Sequence, residues 1–170
     1  MTGFQFPWER FTVAAKLGFP GRPVTYNPGI AQTFLYTTHQ DYWSGELVDL
    51  KTPATARYLD NGLQWFGWTC IDFRSWVHTK LNAEIPKPLY CDEEVVSYVR
   101  TCNSHQAPMT FNVGIYQDGT MAKASVAQLH RLGAALRGRG NRAHVATPPG
   151  IWASHRHPLW AGFLPRPPWL

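Results

Sequence analysis

A chain of 170 residues with a net charge of +5 has room for one packed domain, yet falls short of the roughly 200 to 250 residues of a complete eight-unit α/β barrel. Arg139, Arg142, Arg156 and Arg166 carry most of the positive excess. Residues 1–137 hold 12 basic and 11 acidic side chains, so no nucleic-acid partner is expected.

No run approaches the ~20 apolar residues of a membrane span, so no membrane partner is expected either. Cys70, Cys91 and Cys102 have an odd count and no CxxC spacing, and buried free thiols are the expectation. There is no glycine-rich phosphate loop and no HExxH pattern, and the tail histidines His144, His155 and His157 lack the spacing of a closed site; no cofactor or metal is expected. Met1 to Pro7 does not read as a signal peptide, and secretion is expected only if a longer N-terminus exists.

In chain order, Pro7 to Leu17 is expected to form a short helix, with Trp8, Phe11, Ala14 and Ala15 on one face, stopped by Gly18-Phe19-Pro20-Gly21. Pro23 to Asn27 reads as a strand ended by Pro28-Gly29. Ile30 to Asn61 shows no clean period and reads as a long functional loop, carrying Thr37-Thr38-His39-Gln40-Asp41-Tyr42-Trp43-Ser44-Gly45-Glu46. Gly62 to Phe73 is a near-continuous apolar run, the pattern of a strand buried on both faces of a parallel sheet. Asp92-Glu93-Glu94 opens a helix to about Asn103, with Val95, Val96, Val99 and Cys102 inward. A strand over Met109–Ile115 and a helix over Ser125–Leu136 follow, the helix burying Val126, Leu129, Leu132, Gly133 and Leu136.

Strands alternating with helices predict a parallel α/β sheet. After Arg137 the composition changes: residues 138–170 contain six prolines and Trp152, Trp160 and Trp169, with no acid. This stretch is expected either to be a disordered Pro/Trp/Arg-rich tail or to be sequence that did not evolve with the fold, such as a read-through intron or a shifted frame.

The run Thr110-Phe111-Asn112-Val113-Gly114-Ile115-Tyr116-Gln117-Asp118-Gly119-Thr120 resembles the strand-and-loop motif of α-L-fucosidase-like glycoside hydrolases of family 29. The passage Ala14 to Asn27 is similar to a helix-to-strand passage midway through their barrel, and Leu132-Gly133-Ala134-Ala135-Leu136 looks like the helix closing it. The resemblance covers roughly residues 8–137. It implies the second half of a (β/α)8 barrel, about strands 5–8, in which residues 22–27, 63–72 and 109–115 are neighbouring parallel strands. It also implies retaining hydrolysis of α-L-fucosides, by two carboxylates about 5 to 5.5 Å apart.

The family's nucleophile Asp belongs to an earlier strand and has no counterpart here. The segment Gln64 to Cys70, nearest to the family's Trp-Glu pair ahead of a Cys, contains no Glu. Candidate carboxylates are therefore Glu46, then Asp72, then Asp41. Trp43, His39, His78 and Trp68 are candidate sugar contacts. Each has a plainer alternative: Glu46 as a solvated acid, Asp72 as an ion pair with Arg74, Trp43 as a loop anchor, the histidines as surface or packing groups, and Asp118 as a turn former. Asn112 faces either the core or the cleft, and strand alternation does not decide which.

Three functions compete: a fucosidase-like enzyme completed by a missing N-terminal half or by a second copy, a non-catalytic carbohydrate-binding remnant, and an inactive fragment of a truncated reading frame. Carbohydrate is the expected partner of the first two.

Overall fold

The computed structural model describes residues 6–30, 32–72 and 83–137. Its elements are α1 (Trp8–Ala15), β1 (Tyr42–Glu46), β2 (Gln64–Cys70), α2 (Asp92–Ser104), β3 (Met109–Asn112) and α3 (Lys123–Arg137). The three strands form one parallel sheet in the order β1-β2-β3.

β1 and β2 repeat a single device. Trp43 pairs with Trp65 across the ladder and Gly45 with Gly67. Each indole folds over the glycine two residues further along its own face: a Cβ on Gly45 would lie 2.4 Å from the Trp43 ring, and one on Gly67 would lie 2.3 Å from the Trp65 ring. The two indoles meet edge to face at 5.8 Å. Glycine is required at both positions because nothing larger leaves room for the rings.

α2 presents Val95, Tyr98, Val99 and Cys102 at helical spacing, and all four are buried. Its first turn carries Asp92, Glu93 and Glu94, and the Glu94 carboxylate accepts the Cys91 N–H at 2.8 Å, closing a capping box at the positive end of the helix dipole. Tyr98 and Cys102 join Trp43, Trp65, Leu63, Ala54 and Ala107 in one core cluster; Val95, Val99, Ile71 and Leu132 form a second. Both helices therefore cover the sheet face that holds Trp43 and Trp65.

Several expectations are corrected. Residues 23–27 do not form a strand. The segment runs beside the start of β1, where the Asp41 N–H donates to the Val24 carbonyl at 2.8 Å and the Asp41 carboxylate accepts the Val24 N–H at 2.7 Å. Proline at positions 23 and 28 limits such a segment to a sheet edge. The outer strand is instead Tyr42–Glu46, inside the stretch read as a loop. Of the three expected neighbouring strands, the second and third pair as required and the first is displaced by β1.

β2 is buried on one face only, alternating half-buried and buried from Gln64 to Thr69. β3 ends at Asn112, and Ile115 instead pairs back to Met121 across a turn. α1 buries Thr12, whose hydroxyl bonds the Trp8 carbonyl and the Tyr26 hydroxyl, and leaves Phe11 54% exposed. In α3 Leu132 is buried and Leu129 and Leu136 pack against the second cluster, and Ser125 and Gln128 are buried beside them, Ser125 donating to Asp72 and Gln128 to the Tyr90 carbonyl and Asp92. The expected tail, residues 138–170, lies outside the described residues, as do Phe73 and Arg74.

Candidate functional site

Strand parity sorts the candidate residues. In a parallel pair, ladder partners project to the same side. Glu46 pairs with Trp68, Trp68 with Thr110, and Cys70 with Asn112. This side is opposite to Trp43 and Trp65, against which residues of α2 pack. It carries Tyr42, Ser44 and Glu46 from β1, Phe66 and Trp68 from β2, and Thr110 and Asn112 from β3. Except for the exposed Thr110, these side chains are half-buried. Asn112 is thereby assigned to the open face.

Glu46 ends β1, at the carboxyl edge of the sheet where barrel enzymes place their chemistry. Its carboxylate accepts the Asn27 side-chain amide at 3.0 Å. Trp68 donates its indole N–H to Ser44 Oγ at 3.1 Å, which fixes the ring beside Glu46. Lower on the same face, Tyr42 and Phe66 pack edge to face at 5.2 Å. Burial, with the nearby Asp72 and Glu46 charges, pushes the Cys70 thiol up to about 11, so it is protonated at neutral pH and is not a nucleophile. One carboxylate beside a fixed indole and an amide can grip a sugar through its ring faces and hydroxyls.

The remaining candidates lie elsewhere. Asp72 is fully buried, and its Oδ2 accepts the Gly114 N–H at 2.7 Å and the Ser125 hydroxyl at 3.2 Å. Oδ1 has no hydrogen-bond partner among the described residues. This carboxylate clamps the end of β2 to the end of β3 and to the first turn of α3, in place of the surface contact expected of a catalytic group. Asp41 precedes β1 at the opposite edge of the sheet, in an ion pair with Lys16 at 2.8 Å.

Trp43 is 5% exposed and donates its indole N–H to the Gln32 carbonyl; it belongs to the core because odd positions of β1 face the helices. His39 sits in the turn before β1, again at the amino edge, with its backbone N–H on Thr37 Oγ1 at 3.3 Å. His78 lies outside the described residues. Of the seven candidates, Glu46 and Trp68 are brought together.

Asn27 and Ser44, which hold Glu46 and Trp68, were not singled out from the sequence. Both are short polar side chains whose role depends on a neighbouring segment. Asp118 forms a turn, its Oδ1 accepting the Thr120 N–H at 2.9 Å and the Thr120 hydroxyl at 2.7 Å. Among the described residues no group of three or more His, Cys, Asp or Glu is placed to hold a metal ion, and no helix is long and apolar enough to cross a membrane. Comparison with protein-family models, with curated proteins and with solved structures finds no match to this chain.

Proposed function

We propose that this chain is a carbohydrate-recognising part of a fucosidase-like barrel, binding a pyranoside at Glu46 and Trp68 without hydrolysing it unaided. The observation that carries this reading is the ladder pair Glu46–Trp68 on the open sheet face, with the indole held by Ser44 and the carboxylate by Asn27. A parallel sheet covered by helices on one side and lined by polar and aromatic groups on the other supports the barrel interpretation. The displacement of residues 23–27 from the sheet removes the resemblance's support at its N-terminal passage, so the proposal rests on β1 to β3 and the loop after them.

Retaining hydrolysis needs a second carboxylate about 5 to 5.5 Å from the first. Among the described residues of the open face, Glu46 alone brings one, and Asp72 is committed to its clamp. In a completed site Glu46 would serve as the acid–base group. Alone it accepts hydrogen bonds from sugar hydroxyls.

The test is a titration of the full chain with L-fucose, followed by tryptophan fluorescence, beside an assay with 4-nitrophenyl α-L-fucoside. Binding without turnover is expected, lost in Trp68→Ala and weakened in Glu46→Gln, whose neutral amide replaces a charged acceptor. Hydrolysis by the chain alone that Glu46→Gln abolishes, or the absence of any fucose binding, would overturn the reading.

A further inference from the structure

The turn that leads into β2 carries the chain's one Asn-Gly pair, Asn61-Gly62, and both residues are exposed. Hydrogen bonds orient the Asn61 side chain there. The Leu63 N–H donates to Asn61 Oδ1 at 3.1 Å, and Asn61 Nδ2 donates to the Thr33 carbonyl. Gly62 sits at φ +84°, and a Cβ built on it would meet nothing within 4 Å, so neither a side chain nor a neighbouring segment crowds the turn at this point.

These groups are the reactants of an intramolecular displacement. The Gly62 nitrogen, once its proton has passed to hydroxide, attacks Asn61 Cγ and forms a C–N bond. Negative charge moves onto Oδ1, where the Leu63 N–H already points, the arrangement that stabilises a developing oxyanion. The Cγ–Nδ2 bond then breaks, Nδ2 takes a proton from water and leaves as ammonia, and a succinimide remains. Water opens that ring at either carbonyl, giving aspartate or isoaspartate.

The other described asparagines lack one requirement each. Asn27 precedes Pro28, which has no N–H to give up; Asn103 is held inside α2; Asn112 precedes the branched Val113. One bond opposes the reaction at Asn61: the Gly62 N–H donates to the Leu59 carbonyl at 2.8 Å and must come free first. It belongs to an exposed turn, where local opening is frequent.

We infer that Asn61 is a self-modification site: the native chain converts it to aspartate and isoaspartate, and the product releases residues 32–33 from the turn that leads into β2. A carboxylate at position 61 has no donor for the Thr33 carbonyl, and two acceptors then face each other. The adjacent Gln32 carbonyl receives the Trp43 indole N–H, so the release loosens the anchor of a core ring. Isoaspartate also adds a backbone carbon inside the Leu59–Leu63 turn, which the Leu59 N–H closes on the Leu63 carbonyl at 2.9 Å.

The full chain is incubated at pH 8, native and unfolded in urea, and its peptides are weighed and probed with an isoaspartate-specific methyltransferase. Native conversion at Asn61 is expected at more than about a tenth of the unfolded rate, because a single local hydrogen bond stands against it, with Asn103 and Asn112 intact. A slower native rate, or conversion shared with Asn103 and Asn112, overturns the site. In Asn61→Asp, the Trp43 indole N–H is expected to exchange with deuterium about tenfold faster, while α2 amides keep the wild-type rate. Unchanged exchange at Trp43, or faster exchange throughout α2, overturns the release of residues 32–33.

Discussion

Gly67 lies under the indole of Trp65, so closely that an added methyl group would come within 2.3 Å of the ring. Gly45 stands in the same relation to Trp43, and there the Phe66 carbonyl would also lie 2.8 Å from the new Cβ. A backbone carbonyl in a paired strand cannot yield as a side-chain end can. Gly67→Ala and Gly45→Ala are each expected to destabilise the chain by about 1–3 kcal/mol through overpacking, with Gly45→Ala the worse, as read by urea unfolding. Unchanged midpoints for both would contradict the packing described.

The two tryptophans nearest Glu46 have opposite roles. Trp43→Ala removes a buried ring from the main core cluster and is expected to cost about 3–5 kcal/mol of stability. Trp68→Ala removes a half-buried ring from the open face, and is expected to cost sugar binding with a smaller shift in melting temperature. Paired thermal melts and fucose titrations separate the effects. A reversed pattern would mean that the parity assignment of β1 is wrong.

Asp72 is expected to behave as a structural clamp. Asp72→Ala leaves the Gly114 N–H and the Ser125 hydroxyl without their acceptor, a loss of about 3 kcal/mol, whereas Ser125→Ala removes one neutral donor at about 1 kcal/mol. Denaturant unfolding measures both. An Asp72→Ala protein with native stability would remove the clamp from this account.

The thiols are expected to react unequally. Cys91 is exposed at the start of α2, while Cys70 and Cys102 are buried. With Ellman's reagent at pH 8, one thiol is expected to react quickly in the native chain and the other two only on unfolding. Quick reaction of all three would show that the sheet and α2 are not packed as described.

Acid is expected to weaken the chain through three carboxylates. Asp92 is held below its usual range chiefly by Arg131, Glu94 by the Cys91 N–H and Asp118 by the Thr120 N–H. Because each folded-state value is lowered, the stabilisation is present above the ordinary carboxylate range near pH 4, and is lost as pH falls through the depressed values. Melting temperature measured from pH 6 to pH 2 should fall over the acid end, and Arg131→Ala should lessen that fall by removing the main partner of Asp92.

The parts of the fold legible in the sequence were those written in local periodicity. α2 announces itself by acids at its start and apolar residues at helical spacing, and the strand at Met109 by its apolar run before a turn. β1 was hidden because Tyr42-Trp43-Ser44-Gly45-Glu46 contains no β-branched residue, and its pairing depends on the matching Trp-x-Gly of a strand some twenty positions later. The segment at 23–27 has strand-like residues, but the Asp41 carboxylate, together with the Asp41 N–H, occupies its backbone groups where a ladder would continue.

In the candidate site, Glu46 and Trp68 were legible by residue type, yet their adjacency follows from register alone. Trp43 misled because its neighbour in sequence, Ser44, faces the other way. In α3 Leu132, Leu129 and Leu136 of the expected stripe meet the core, and the buried Gln128, bonded to the Tyr90 carbonyl and Asp92, is what the periodicity of apolar residues does not register.

The most direct measurement is the shift of the tryptophan indole N–H signals in a heteronuclear NMR titration with L-fucose, with Trp43 and Trp68 assigned by substitution. The account predicts that the Trp68 signal moves in a saturable way as fucose displaces water from its face, while the core-bound Trp43 signal stays in place. A Trp68 signal unmoved at saturating fucose, or a shift confined to Trp43, would contradict a sugar site on the open face of this sheet.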